Sequence, residues 1–144
     1  MTYSCHSATE IYPGLILGGV RDVEEIIRLG AQVLVPLDFL RGEVWETGFR
    51  GEILYYPVPD GGVLPDDVLE SLVEDVLGRL GEGKRLGLFC SGGHGRTGYA
   101  AACVLVRLGV SDPYKLLRGR YCRMAVETDI QVEAINRYYE KWRK

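Results

Sequence analysis

The chain has 144 residues, of which 47% are apolar and 26% charged, and its 17 basic and 20 acidic side chains give a formal net charge of −3. These proportions are typical of a soluble globular protein, so we expect residues 1–144 to form a single domain and exclude a disordered or fibrous chain. No apolar run approaches the roughly 20 residues of a membrane span, and the start of the chain lacks the pattern of a secretory signal. We therefore expect a cytoplasmic protein that does not bind membranes.

The cysteine pattern and the charge argue against two further classes of protein. The four cysteines, at positions 5, 90, 103 and 122, form no Cys-x-x-Cys pair, and the chain has only two histidines. This pattern predicts free thiols, no metal site and no cofactor. Cys5 or Cys122 could trap an oxidised Cys90 as a disulfide, although no spacing rule supports this. The sequence pI of 5.4 argues against a nucleic-acid partner.

Strands and helices alternate along the first half of the chain. Residues 11–19 are typical of a strand pair around a Pro-Gly turn, and residues 21–29 of a helix ended by glycine. The nearly all-apolar run 31–37 predicts a buried strand, and residues 52–57 predict another. Residues 40–51 are ambiguous.

The second half continues the alternation. Apolar residues at helical spacing predict an amphipathic helix over 66–81, and a short apolar strand follows over 85–89. Further helices are predicted over 99–108, which is apolar on all sides, over 113–118 and over 128–142. We therefore predict an α/β fold in which helices flank a central, mainly parallel β-sheet.

The segment between the strand at 85–89 and the next helix carries the strongest chemical signal. It reads Cys-Ser-Gly-Gly-His-Gly-Arg-Thr-Gly from residue 90 to residue 98. A strand, a glycine-rich turn and a helix start together bind anions, because backbone N–H groups and the helix dipole converge there. The same groups would stabilise a thiolate at Cys90 and make it nucleophilic. Arg96 can hold two phosphate oxygens through its planar guanidinium.

Two other phosphate-binding motifs fit this segment poorly. A Walker loop requires a glycine where Cys90 stands and a lysine where Arg96 stands. Residues 93–98 match the dinucleotide pattern Gly-x-Gly-x-x-Gly, but no strand that ends in an acidic residue follows about 20 positions later. A nucleotide-binding loop is therefore disfavoured.

The pattern Cys90-x5-Arg96-Thr97-Gly98 resembles the signature of the cysteine-dependent protein tyrosine phosphatases. Nearly the whole chain resembles their compact dual-specificity branch: residues 11–19 are similar to its opening strand, 30–37 to the next strand and 57–62 to its acid loop. The signature by itself is shared with arsenate reductases and lipid phosphatases, so the order of all these segments carries the specificity. The resemblance implies the protein tyrosine phosphatase fold.

The resemblance also implies roles for individual residues. Cys90 would attack phosphorus, and Arg96 would bind the phosphoryl oxygens and stabilise the transition state. Ser91, Gly92, Gly93, His94 and Gly95 would complete the phosphate-binding loop. His94 is alternatively a solvated loop residue. Phe89 departs from the family, in which histidine usually precedes the cysteine, so one hydrogen-bonding support of the loop is missing.

Each remaining role has a structural alternative. Thr97 would donate a hydrogen bond to the Cys90 sulfur, but a hydroxyl near a helix start is also a common cap. Asp60 would act as general acid, although Pro-Asp-Gly is ordinary turn chemistry, and Asp38 is a second candidate for this role. Gln131 would position the hydrolytic water, or would instead form a capping box with Thr128.

We therefore expect a monomeric phosphomonoester hydrolase that acts through a cysteinyl-phosphate intermediate. Its partners would be proteins that carry phosphotyrosine, and also phosphoserine or phosphothreonine if the pocket is shallow. The loop carries no lysine, and no arginine before Arg96, which disfavours highly anionic lipids unless Arg118, Arg120 or Arg123 lines the rim. The alternatives are a phosphatase for a non-protein phosphate and a phosphate-binding module without turnover.

Overall fold

A five-stranded mixed β-sheet forms the centre of the protein. The structure is a computed structural model that describes residues 7–39 and 47–143. The strands of these residues lie in the order β1-β2-β5-β3-β4. β1 runs antiparallel to β2, and the other three neighbouring pairs are parallel, as expected for a mainly parallel sheet. The strand bounds are Thr9–Tyr12 for β1, Leu15–Gly19 for β2, Val33–Pro36 for β3, Glu52–Ile53 for β4 and Leu86–Cys90 for β5.

Helices cover both faces of this sheet. The helix α1 lies on one face, where Val23 and Ile26 pack with residues of β2, β3 and β5. The opposite face carries the larger core, to which the other helices contribute. The helical segments of the described residues are a 3₁₀ turn at Val20–Asp22, then α1 at Val23–Arg28, α2 at Asp66–Gly81, α3 at Gly95–Arg107, α4 at Pro113–Arg120 and α5 at Asp129–Trp142.

The three inner strands are buried on both faces, which explains their nearly continuous apolar sequences. Every residue of β2, β3 and β5 is buried. The helix α3 packs against this layer and is itself buried from Gly95 to Val106. The all-round apolar sequence of 99–108 therefore reflects a central helix, as predicted. Among the described helices, none is long and apolar enough to span a membrane.

Several predicted boundaries differ from the structure. The strand expected over 52–57 is reduced to Glu52–Ile53, but Leu54 and Tyr56 still donate backbone hydrogen bonds to β3 at 2.9 and 3.1 Å. The bonding continues beyond Pro57, because Val58 donates to the Leu37 carbonyl oxygen over 3.1 Å. Alternate residues of this edge face β3, so the missing N–H of Pro57 faces away from it and does not explain the shorter strand. The helix predicted from residue 99 begins at Gly95, since its glycine-rich first turn conceals the helix start. The ambiguous segment 40–51 lies largely outside the described residues.

Candidate active site

The candidate site forms where the inner parallel strands end. Cys90 is the last residue of the middle strand β5, and Gly19 and Pro36 end its two neighbours. The loops that follow parallel strands meet at this edge, which is the usual ligand site of an open α/β sheet. Cys90, the nucleophile predicted from the sequence, therefore lies buried at that edge, with 2% of its surface exposed.

A hydroxyl group supports the Cys90 sulfur, as expected. The Thr97 hydroxyl donates to Cys90 Sγ over 3.0 Å and lies 3.3 Å from the Gly18 carbonyl oxygen. A hydroxyl carries one proton, so the two acceptors compete for it. Thr97 is fully buried in the first turn of α3, whose N-cap position is occupied by His94, so the alternative role of Thr97 as cap is wrong.

The loop after Cys90 depends on glycine for two reasons. Gly93 has a φ of +79°, a conformation that side chains rarely adopt, and its backbone faces Gly19 so closely that a Cβ would lie 2.9 Å from the Gly19 nitrogen. The Tyr121 hydroxyl donates to the Gly93 carbonyl oxygen over 2.6 Å and fixes this turn. Burial raises the pKa of Tyr121, so its hydroxyl stays protonated and remains a donor.

The end of this loop is the N-terminus of α3. The first N–H groups of a helix lack partners within the helix, and the side chain of the N-cap residue His94 accepts none of them. With the helix dipole, these groups favour an anion next to Cys90. His94 is half-buried, with Nδ1 3.5 Å from Cys122 Sγ, and whether it contacts a substrate stays a prediction.

Arg96 brings the phosphate loop and two carboxylates together. Its guanidinium is buried and lies 2.9 Å from Asp38 Oδ1 and 3.7 Å from Asp60 Oδ1. It also donates to the carbonyl oxygen of Val58 over 3.3 Å. The planar side chain is thus held by groups that follow β3 and precede α2.

The two carboxylates differ in a way that separates their roles. Asp38 also accepts hydrogen bonds from the Ser91 hydroxyl and the Phe39 N–H. Burial raises the pKa of Asp38, but these hydrogen bonds and the charge of Arg96 outweigh it, so its pKa lies below the usual value. A carboxyl that is held ionised is a poor proton donor. Asp60, whose side chain is 88% exposed, is the other candidate for the general acid.

Gln131 has the capping role that was one of its two alternatives. It is fully buried, and its Oε1 accepts from the backbone N–H groups of Glu127 and Thr128 over 3.0 and 3.3 Å. The backbone N–H of Gln131 donates to the Thr128 hydroxyl oxygen, which completes the capping box of α5. The amide nitrogen Nε2 donates to the Gly62 carbonyl oxygen over 3.2 Å. The side chain is thus engaged through both its oxygen and its nitrogen.

Residues 125–126, which the sequence analysis did not single out, contact the loop that follows Cys90. The Val126 N–H donates to the His94 carbonyl oxygen over 3.3 Å, and Val126 has a φ of +67°, which is rare for a β-branched residue. Arg118 donates to the carbonyl oxygens of Ala125 and Val126 at 3.0 and 3.2 Å. Arg118, which is exposed, therefore holds this segment. No local pattern signals such long-range contacts.

The remaining expectations concern Phe89 and the other cysteines. Phe89 is buried against the α1 face of the sheet, so it packs in the smaller core and does not reach the loop. Cys90 and Cys103 are free thiols, but Cys122 is disulfide-bonded, which corrects the expectation of four free thiols. Cys5 lies outside the described residues. Among residues 7–39 and 47–143, no three histidine, cysteine, aspartate or glutamate side chains cluster as metal ligands would.

Comparisons with known proteins identify the family of the chain. A family model described as "Swiss Army Knife protein, DSP-PTPase phosphatase domain" matches residues 19–137. The uncharacterized protein MJECL20 of Methanocaldococcus jannaschii is 32% identical over 116 residues, which cover 79% of each chain.

Solved structures share the fold across most of its length. The active form of Tk-PTP has a TM-score of 0.76 and 24% identity, and the match covers 94% of this chain and 98% of that one. A kinase-associated phosphatase whose catalytic cysteine is replaced by serine has a TM-score of 0.70 and 21% identity, over 86% of this chain and 77% of that one. At these identities, the likeness concerns the fold.

Proposed function

The chain belongs to the dual-specificity branch of the cysteine-dependent protein tyrosine phosphatases, and from that premise we propose that it hydrolyses phosphate monoesters through a phosphocysteine intermediate on Cys90. One observation carries the proposal. The buried Thr97 hydroxyl donates to Cys90 Sγ over 3.0 Å at the start of a helix that also presents the buried Arg96 guanidinium. The short segment from the end of β5 to the first turn of α3 thus carries a nucleophile, a group that stabilises it as it leaves and a cation for the phosphoryl oxygens.

In the first step, the Cys90 thiolate attacks phosphorus in line with the ester oxygen. The sulfur–phosphorus bond forms as the phosphorus–oxygen ester bond breaks, and Asp60 gives its proton to the departing oxygen. Arg96 and the N–H groups at the start of α3 stabilise the negative charge on the three equatorial oxygens. Asp38 keeps the Arg96 guanidinium turned toward those oxygens.

In the second step, water attacks the phosphocysteine. Asp60, now ionised, takes a proton from the water as its oxygen bonds to phosphorus, and the sulfur–phosphorus bond breaks. The Thr97 hydroxyl donates to the sulfur and stabilises the departing Cys90 thiolate. Inorganic phosphate leaves, and Asp60 is again protonated for the next turnover.

Proteins that carry phosphotyrosine are the proposed substrates. The phosphotyrosine side chain is long enough to bring its phosphate to a nucleophile at the bottom of a deep site. The phosphoserine and phosphothreonine side chains are shorter, so they can be substrates only if the site is shallow. Ser91 and Gly92 are both exposed, which leaves the mouth of the loop open. We further propose that residues 1–144 act as one catalytic domain, as a monomer in the cytoplasm.

The test is hydrolysis of p-nitrophenyl phosphate in the presence of a chelator. Wild type and Cys90→Ser are compared, with Cys103→Ser as the matched control, because Cys103 is a free buried cysteine on α3. We expect turnover by wild type and by the control, and none by Cys90→Ser. Alkaline denaturation of Thr97→Val during turnover, a variant in which the second step is expected to be slow, should leave a phosphoryl group on the peptide that contains Cys90.

Two results would contradict the proposal. Turnover that survives in Cys90→Ser would exclude the cysteine mechanism. A wild type without turnover at any pH from about 5 to 8, a working range for a cysteine–aspartate pair, would favour the phosphate-binding module. Retention of phosphotyrosine peptides by that inactive protein would then identify the module.

A further inference from the structure

The loop that carries Asp60 is a tight turn. The Gly62 N–H donates to the Pro59 carbonyl oxygen over 2.8 Å, and Asp60 and Gly61 are the central residues. Gly61 has a φ of +71°, which glycine adopts without strain. Because the Asp60 side chain is 88% exposed, the position of its carboxyl group depends on how the backbone of this turn is held.

Two side chains at the start of α5 hold that backbone. The Thr128 hydroxyl donates to the Gly61 carbonyl oxygen over 2.8 Å, and Gln131 Nε2 donates to the Gly62 carbonyl oxygen over 3.2 Å. Both acceptors lie within two residues of Asp60 along the chain. The turn is therefore fixed through the carbonyl groups that directly follow the candidate acid.

The capping box fixes the orientation of these two donors. The Thr128 hydroxyl oxygen accepts from the Gln131 N–H over 3.3 Å, which leaves its single proton for Gly61. Gln131 Oε1 accepts from two backbone N–H groups, which directs Nε2 toward Gly62. Each side chain thus accepts a hydrogen bond from a backbone N–H at or just before the start of α5. Each also donates a hydrogen bond to a carbonyl oxygen of the acid loop.

The same region also contacts the phosphate loop. Val126, two residues before Thr128, donates its N–H to the His94 carbonyl oxygen over 3.3 Å. A Cβ on Gly95 would lie 3.1 Å from Gln131 Oε1, so this side chain packs directly against the start of α3. The start of α5 therefore contacts both the loop of the nucleophile and the loop of the acid.

From this arrangement we infer that Thr128 and Gln131 are positioning residues for the general acid Asp60. Through the capping box of α5, they fix the position of the acid loop relative to the Cys90 loop. The inference rests on the proposed function. It gives Gln131 a task in the acid step, in place of the positioning of hydrolytic water.

The test compares two esters with different leaving groups. p-Nitrophenolate leaves readily without a proton, whereas phenolate, whose conjugate acid has a pKa of about 10, depends on the general acid. Thr128→Val removes the hydroxyl and keeps the shape. We expect its kcat/KM to fall about 10-fold for phenyl phosphate and less than about 3-fold for p-nitrophenyl phosphate. Thr128→Ser should restore both values.

Two further variants separate positioning from helix capping. Gln131→Glu keeps an acceptor for the N–H groups of Glu127 and Thr128 but removes the donor to Gly62, so it should show the same selective loss. Asp112→Ala removes the side chain that caps α4 by accepting from the Lys115 N–H over 3.0 Å. This matched control should leave the ratio of the two kcat/KM values unchanged.

Asp60→Asn removes the acid itself, so its selective loss of kcat/KM for phenyl phosphate is the largest that the positioning variants can show. If Thr128→Val and Gln131→Glu lower both kcat/KM values equally, their role is structural and the inference is overturned while the proposed function stands. If Asp60→Asn shows no preference for the better leaving group, Asp60 is not the acid and the inference falls with that role. A wild type that hydrolyses neither ester would overturn the proposed function first.

Discussion

A methyl group added at Gly98 should disturb both the fold and the site. Gly98 lies in the first turn of α3, and a Cβ there would lie 2.7 Å from the Val126 nitrogen and 3.3 Å from atoms of Ala125. These are backbone atoms, which cannot rotate away as a side chain can. Gly78 in α2 is the matched control, because among the described residues nothing lies within 4 Å of its added Cβ.

The expected magnitudes follow from these two environments. Alanine in place of a helical glycine stabilises by about 0.5–1 kcal/mol, since the unfolded chain loses freedom. Overpacking against a close neighbour costs about 1–3 kcal/mol. Gly78→Ala should therefore raise the free energy of unfolding by about 0.5–1 kcal/mol, and Gly98→Ala should be about 1–3 kcal/mol less stable than Gly78→Ala.

Activity should separate the two variants as well. Gly98 follows Arg96 and Thr97 directly, so a shift of α3 away from Val126 displaces both from the anion site. We expect kcat/KM for p-nitrophenyl phosphate to fall about 10-fold or more in Gly98→Ala, with Gly78→Ala unchanged. Urea unfolding and steady-state kinetics measure the two effects. If Gly98→Ala proved as stable and as active as Gly78→Ala, the close contact with Val126 would be refuted.

Two further predictions concern groups that touch the site loop. Thr97→Val should slow hydrolysis of the phosphocysteine about 10- to 100-fold, the worth of a hydrogen bond to a charged group, and rapid mixing should then reveal a burst of p-nitrophenol that wild type lacks. The lowered pKa of Asp38 means that its carboxylate stabilises the fold above an unfolded pKa of about 4 and that this contribution is lost at lower pH. Between about pH 5 and 2, the free energy of unfolding measured by urea titration should therefore fall less for Asp38→Asn than for wild type. An equal fall in both proteins would show that the folded state does not stabilise the Asp38 carboxylate.

The parts of the site that lie close together in sequence could be predicted. The contact of Thr97 with Cys90 was implied by the resemblance of Cys90-x5-Arg96-Thr97-Gly98 to the phosphatase signature, and it joins residues only seven positions apart. The α/β class was also accessible, because inner parallel strands are buried on both faces and their sequences are almost entirely apolar. Both features depend on local sequence.

The parts that depend on distant segments could not be predicted. Tyr121 meets the Gly93 carbonyl oxygen 28 positions away, and Thr128 meets that of Gly61 67 positions away. A tyrosine and a threonine with ordinary neighbours carry no local sign of such contacts. The same holds for Asp38, which the sequence offered as a second acid and the structure pairs with Arg96. Which of two carboxylates is bound to the arginine depends on packing across the sheet.

The place of Cys90 in the strand order affects how the site withstands thermal fluctuation. The two outermost strands, one of four residues and one of two, have a neighbour on one side only and should open most often. β5 is hydrogen-bonded on both sides and covered by α3, so its opening requires most of the molecule to unfold. Cys90, the proposed nucleophile, is thus attached to the part of the chain that is expected to open last. Fraying at either margin of the sheet should therefore leave the Cys90 sulfur in place.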